Sequence, residues 1–129
     1  MEQIKIDLPV NQTVDFLKQS IQEKGLTLFC DIDHQANAKK HELDMPASHV
    51  LIFGNPKAGT PLMQKDINVS IELPLRLAAI ENKGETLLIY PNVKDYSKAY
   101  LLGDHPVLDK MQSIFDELVA ELKSFSKAD

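Results

Sequence analysis

Cysteine is almost missing from this chain: Cys30 is the only one in 129 residues. A single thiol excludes an intramolecular disulfide framework and any multi-cysteine zinc site, and it suits a reducing compartment. Arginine is equally scarce, with Arg76 alone among fourteen basic residues that face nineteen acidic ones. The formal net charge is −5, and the lysines are interleaved with acids in no basic stripe. A nucleic-acid partner, which needs a basic face, is therefore not expected. No apolar run approaches the roughly 20 residues of a membrane span, so no membrane partner is expected either. Met1-Glu2-Gln3-Ile4 has neither a basic nor an apolar leader segment, and the expectation is a cytoplasmic protein without a signal peptide. No repeat, low-complexity segment or linker divides residues 1–129, which read as one domain able to bury about two-thirds of its unfolded surface.

What is present alternates clearly. Ile4 to Leu8 has the period of a half-buried strand, ended by Pro9. Thr13 is placed to cap a helix whose apolar stripe is Val14, Leu17 and Ile21, and Gly25 stops it. Leu26 to Asp33 reads as a second strand, with Leu26, Leu28, Cys30 and Ile32 on one face and Thr27, Phe29, Asp31 and Asp33 on the other. On that reading Cys30 is a buried, inert thiol. His34 to about Leu43 predicts a short helix, and His49 to Phe53 a third strand, apolar on both faces except for His49 and hence central in the sheet. Ile67 to Leu73 has period two and suggests an extended segment, interrupted by Pro74. Leu75–Glu81 and Thr86–Tyr90 flank Asn82-Lys83-Gly84-Glu85 as a hairpin. From Asp104-His105-Pro106 runs the clearest helix, with Val107, Leu108, Met111, Ile114, Phe115, Leu118, Leu122 and Phe125 in its stripe. The sum is an α+β chain, an antiparallel sheet with helices packed on it.

The most constrained stretch is Phe53-Gly54-Asn55-Pro56-Lys57-Ala58-Gly59-Thr60-Pro61-Leu62-Met63. Read locally, it leaves a strand, makes a stiff loop, and restarts as a helix with Thr60 as N-cap and Pro61 in the first turn. Helix N–H groups aimed at a loop can hold an anion. Together with Asp33-His34-Gln35-Ala36-Asn37-Ala38 and Leu73-Pro74-Leu75-Arg76, this stretch resembles domain-of-unknown-function family 302. The resemblance runs from about Thr13 to Tyr90. It implies a TATA-box-binding-protein-like arrangement of β-α-β(4)-α type with short extra helices, and a homodimer. It implies no activity.

Candidate chemistry is sparse. Gly54 to Thr60 has something of a phosphate loop, but Thr60 follows Gly59 directly where that motif needs a lysine between them, so nucleotide hydrolysis is unsupported. The reading that survives is a small anionic ligand held by Asn55, Lys57, Gly59, Thr60 and Arg76. Its plain alternatives are a capped helix behind a rigid turn, and for Arg76 a pairing with Glu72, Glu81 or Glu85. Asp33 and His34 are the candidates for acid/base chemistry, against a solvated strand end in which Asp33 caps the next helix. The chain has no His-x-x-x-His or Cys-x-x-Cys pair, so no metal site is expected, and no motif names a cofactor. A structural or interaction domain is the third reading.

Overall fold

β3 (Ser48–Gly54) lies near the middle of a five-stranded antiparallel sheet of order β1-β5-β4-β3-β2 in the computed structural model, which describes residues 1–127. The other strands are β1 (Glu2–Ile6), β2 (Thr27–Asp33), β4 (Leu75–Asn82) and β5 (Glu85–Tyr90). Helices α1 (Val10–Glu23), α2 (His34–Lys39), α3 (Pro56–Lys65), α4 (Tyr96–Ala99) and α5 (Pro106–Lys127) join or follow them, with 3₁₀ turns at Ile67–Glu72 and Val93–Asp95. Omitting the short helices leaves β-α-β(4)-α, the expected α+β architecture.

The inward face of the sheet carries Leu51 and Phe53 on β3, Leu75, Leu77 and Ala79 on β4, and Leu88 and Tyr90 on β5, all buried. Against them α1 sets Val14, Leu17 and Ile21, and α5 sets Leu108, Met111, Phe115, Leu118, Val119 and Leu122. Steps of three and four place each set on one helix face, and each large side chain so buried contributes about 1.5–3 kcal/mol. Phe115 is central: its ring stacks on Tyr90 at 5.1 Å and meets the edge of Phe53 at 5.8 Å. Ser20 on α1 and Lys24 just past its end both reach Glu121 on α5, which ties the two helices at their solvent side.

Local features depart from the sequence expectations in four places. Thr13 is not a cap: α1 begins at Val10, and the buried Thr13 hydroxyl donates to the Pro9 carbonyl at 3.0 Å. Ile67–Glu72 is a 3₁₀ turn rather than extended, capped by Asp66, with only Val69 of its apolar residues buried. β2 holds a bulge between Leu28 and Cys30. The extra residue shifts the alternation, so Leu28, Asp31 and Asp33 face inward while Cys30 and Ile32 face outward, and Cys30 is exposed rather than buried. The fourth is the start of α3, described with the site. The hairpin forms as expected, with positive φ at both Lys83 (54°) and Gly84 (82°), the geometry of a two-residue type I′ turn.

Candidate functional site

Asn55 organises the corner after β3. Its side chain accepts from the Lys57 N–H at 2.9 Å, and its carbonyl accepts from the Ala58 and Gly59 N–H groups at 2.9 and 3.1 Å. Pro56 has no N–H and occupies the first helical position. α3 therefore begins at Pro56 with Asn55 as N-cap, four residues before the expected start, and Thr60-Pro61 lies inside the helix. Two cap-then-proline pairs compete in this stretch, and the Asn-Pro pair next to the strand wins because asparagine is the stronger cap. Pro61 is tolerated because it removes the donor for only one early carbonyl, that of Lys57. The expected free main-chain donors do not exist here: those of residues 57, 58 and 59 are consumed by Asn55, and prolines stand at 56 and 61.

The same corner does border a cavity. A cleft of about 210 Å³ opens between α3, α5 and the ends of β3 and β4. Gly54, Ala58, Gly59 and Met63 form one wall, Leu73, Pro74 and Leu75 a second, and Met111 and Ile114 of α5 a third. Phe29, thrown out of the β2 ladder by the bulge and 49% exposed, stands at the rim. Asn55, Pro56 and Thr60 complete thirteen lining residues, none of them charged. The glycines keep it open. A Cβ at Gly59 would touch Leu73 Cδ1 at 3.6 Å and one at Gly54 would touch Pro74 Cβ at 3.6 Å, ordinary contacts that a longer side chain would turn into filling.

The candidate ligand residues are divided. Asn55, Gly59 and Thr60 line the cleft, whereas Lys57 is exposed on the first turn of α3 and is not among its walls. Arg76 is on the outward face of β4, 3.4 Å from Glu72 across one 3₁₀-to-strand connection. Glu72 also accepts from the Tyr100 hydroxyl at 3.0 Å. Burial, reinforced by the Glu72 charge, pushes the neighbouring Tyr96 phenol up to about 12, so that group stays protonated.

Asp33 and His34 do not form a working pair. Asp33 Oδ1 caps α2 by accepting from Ala36 N at 2.9 Å, and His34 is exposed on that short helix. The histidine beside the aspartates is His49, opposite Asp33 in the ladder. Its Nδ1 lies 2.7 Å from Asp31 Oδ1 and its Nε2 3.7 Å from Asp33 Oδ2, while Lys18 of α1 pairs with the other Asp31 oxygen. Burial raises the Asp31 carboxyl, but the hydrogen bonds from Lys18 and His49 outweigh it and hold it below the ordinary carboxylate range. His49 and Phe29 escaped the sequence reading as site residues. His49 carried a signal, as the one polar position on the inward period of β3, and Phe29 carried none.

A family model described as a domain of unknown function, DUF302, matches residues 2–121. Among curated proteins, fluoride-specific ion channel FluC 1 of Brucella suis biovar 1 (strain 1330) is 36% identical over 73 residues, 57% of this chain and 29% of that one. FluC 2 of Brucella melitensis biotype 1 is likewise 36% identical over 73 residues, 27% of its length. The chain thus spans under a third of these relatives. A solved structure, an uncharacterized conserved DUF302 protein from Bacillus stearothermophilus, superposes with a TM-score of 0.71 over 95% of this chain and 94% of that one, at 16% identity. At that identity the likeness speaks for the fold.

Proposed function

The chain belongs to the DUF302 family, and from the geometry of its own cleft we propose that it binds a small ligand through an apolar body seated between α3 and α5. The carrying observation is the cleft itself, about 210 Å³ with thirteen uncharged walls. A concave, mostly apolar cleft with a few polar groups at its edge is the usual form of a small-molecule site. Asn55 and Thr60, exposed at the rim, are the groups available to a polar end of the ligand, and Gly59 sets the depth. The ligand class shifts from anion to neutral apolar compound because Lys57 and Arg76 lie outside the walls and the corner's amides are occupied.

The test is a thermal-shift screen that pairs small neutral aromatic and branched aliphatic compounds with phosphate, nucleotides and carboxylate metabolites. Compounds of the first class should raise Tm, and Gly59→Leu, which fills the hollow, should abolish the shift while circular dichroism stays native. Stabilisation by anions alone, surviving Gly59→Leu, would overturn this reading.

An acid/base role for Asp33 with His34 draws no support from the geometry, since one carboxylate oxygen is a helix cap and the imidazole is solvated. Fluoride channel activity belongs by name to the Brucella proteins. The shared stretch is a minority of them, and no helix among the described residues is long and apolar enough to cross a membrane, so that activity is not carried over. We take the protein to work as a homodimer in a reducing, cytoplasmic setting, the latter supported by the exposed free thiol of Cys30.

A further inference from the structure

Arg76, the single arginine of the chain, borders a cavity of about 340 Å³ at the end of the sheet where β4 begins and β5 stops. The cavity shares no lining residue with the cleft between α3 and α5. Its floor is apolar. On the outward face of the sheet, register places Ile32 opposite Val50, Val50 opposite Ala78, and Ala78 opposite Ile89, one apolar row across four strands. Val50, Ala78 and Ile89 of that row line the cavity. Three of its polar side chains are incompletely used. The Arg76 side chain is 52% exposed, and its partner Glu72 Oε1 lies 3.4 Å away, longer than an ordinary hydrogen bond, so most of its N–H fork is free. Glu72 is itself held, since its other oxygen accepts from the Tyr100 hydroxyl at 3.0 Å. Tyr96 is only 7% exposed, yet its hydroxyl has no hydrogen-bond partner among the described residues, and the charges that act on it most are those of Glu72 and Arg76. Buried hydroxyls are normally paired. Asp95 is exposed without an ionic partner among the described residues, its neighbour Lys94 pairing instead with Asp109.

We propose that this cavity is a second binding site, one that takes a small zwitterion with an apolar body, the chemistry of an aliphatic α-amino acid. The Arg76 fork matches the two oxygens of a carboxylate. The Tyr96 phenol, protonated at neutral pH, adds a further donor to the same group. Asp95 supplies the counter-charge for an ammonium, and Val50, Ala78 and Ile89 receive the aliphatic side chain. Charge selects this occupant over its competitors. Among the lining side chains one guanidinium stands against two carboxylates, Glu72 and Asp95. A phosphate or other simple anion would add to that negative surplus, whereas a zwitterion adds nothing to it. A purely apolar ligand would leave the Arg76 donors and the Tyr96 hydroxyl unpaired beside it, which is costly. A volume of about 340 Å³ lies at the small end of ligand pockets and suits a molecule of this size.

The test uses leucine as the probe, with isocaproate (leucine without its amine) and isoamylamine (leucine without its carboxylate) as its two halves. Each is titrated into the isotope-labelled full chain and followed by amide chemical shifts. Leucine should move the amides of residues 76–78 and 92–96 and leave those of residues 54–63 in place. Each half should bind about tenfold more weakly, because each gives up a contact to a charged group. Arg76→Lys keeps the charge but loses the fork, and should weaken leucine about tenfold. Tyr96→Phe removes only the hydroxyl and should weaken it about fivefold. Both variants should keep native circular dichroism. A leucine titration that moves no amide around Arg76, or an affinity that Arg76→Lys leaves unchanged, would overturn the site. Shifts at residues 54–63 instead would seat leucine in the α3–α5 cleft and overturn it equally. Isocaproate binding as tightly as leucine would overturn the zwitterion.

Discussion

Replacing Asp31 by Asn removes one charge and almost no volume, and it isolates the polar cluster beneath α1. The wild-type carboxylate serves two cations or donors, Lys18 on one oxygen and His49 Nδ1 at 2.7 Å on the other. A hydrogen bond to a charged group contributes about 1.5–3 kcal/mol and a neutral one about 0.5–1.5, so neutralising the His49 contact costs about 1 kcal/mol. Lys18 is one-third exposed, and its share is discounted to the surface value of about 0.5 kcal/mol. The expected loss is about 1.5 kcal/mol at pH 7. With a urea slope near 1.5 kcal/mol/M, the midpoint should fall by about 1 M. The pH dependence supplies a second readout. Because the folded carboxyl lies below its unfolded value of 3.8, its stabilisation is complete above that value and disappears as pH falls through the folded pKa. The gap between wild type and variant should be full near neutrality and close on acidification towards about pH 2. A gap under about 0.5 kcal/mol at pH 7, or one that does not narrow in acid, would refute the reasoning.

Phe115→Ala should cost about 4 kcal/mol in urea unfolding, since it empties the space between Tyr90 and Phe53 at the centre of the core. Asn55→Ala should cost about 1 kcal/mol and shorten α3, read as faster amide exchange at Lys57 to Gly59, because the cap's side-chain oxygen is lost. His34→Ala should leave stability unchanged within about 0.5 kcal/mol, and any activity found for the protein should survive it, as the ring is solvated and unpaired with Asp33.

The architecture was legible because its carriers are periodic. Alternation in Ile4–Leu8 marks a strand that the structure sets two residues earlier, at Glu2–Ile6, the 3–4 spacing of α5 leaves only one way to bury its apolar positions, and Lys83-Gly84 supplies the left-handed pair that a tight hairpin needs. The site was less legible for a specific reason: its features depend on competition or on pairing across the sheet. Thr60-Pro61 and Asn55-Pro56 are both credible helix starts, and the advantage of asparagine over threonine as a cap is small enough to be missed beside the longer stiff loop that Gly59 suggests. Ile67, Val69 and Ile71 alternate as a strand would, yet they have no neighbour to pair with after Asp66 caps the turn. His49 stood out as polar on an apolar period, but its partners are fixed only once β2 and β3 are in register. For Arg76 the plain alternative of a Glu72 partner holds.

The bulge in β2 joins these observations. Without the extra residue, continuing the ladder from Leu28 opposite Phe53 would set Phe29 against Ile52 and Cys30 against Leu51. The thiol would then enter the core, and Asp31 would turn outward into the apolar row, away from His49 and Lys18. Such a one-residue slip exchanges every side chain between faces. The inserted position pays for itself by keeping Asp31 on the His49 side and by sending Phe29 to the cleft mouth. Phe29→Ala should therefore separate binding from folding. At 49% exposure the ring contributes about half of a buried side chain's 1.5–3 kcal/mol, so stability should fall by about 1 kcal/mol. An apolar ligand that stabilises the wild-type protein should bind about fivefold more weakly, because it loses an aromatic contact of about 1 kcal/mol at the solvent-facing rim of the cleft. Equal affinity for the two proteins would mean that the ligand does not enter between Phe29 and α3, and the cleft would lose its claim as the site.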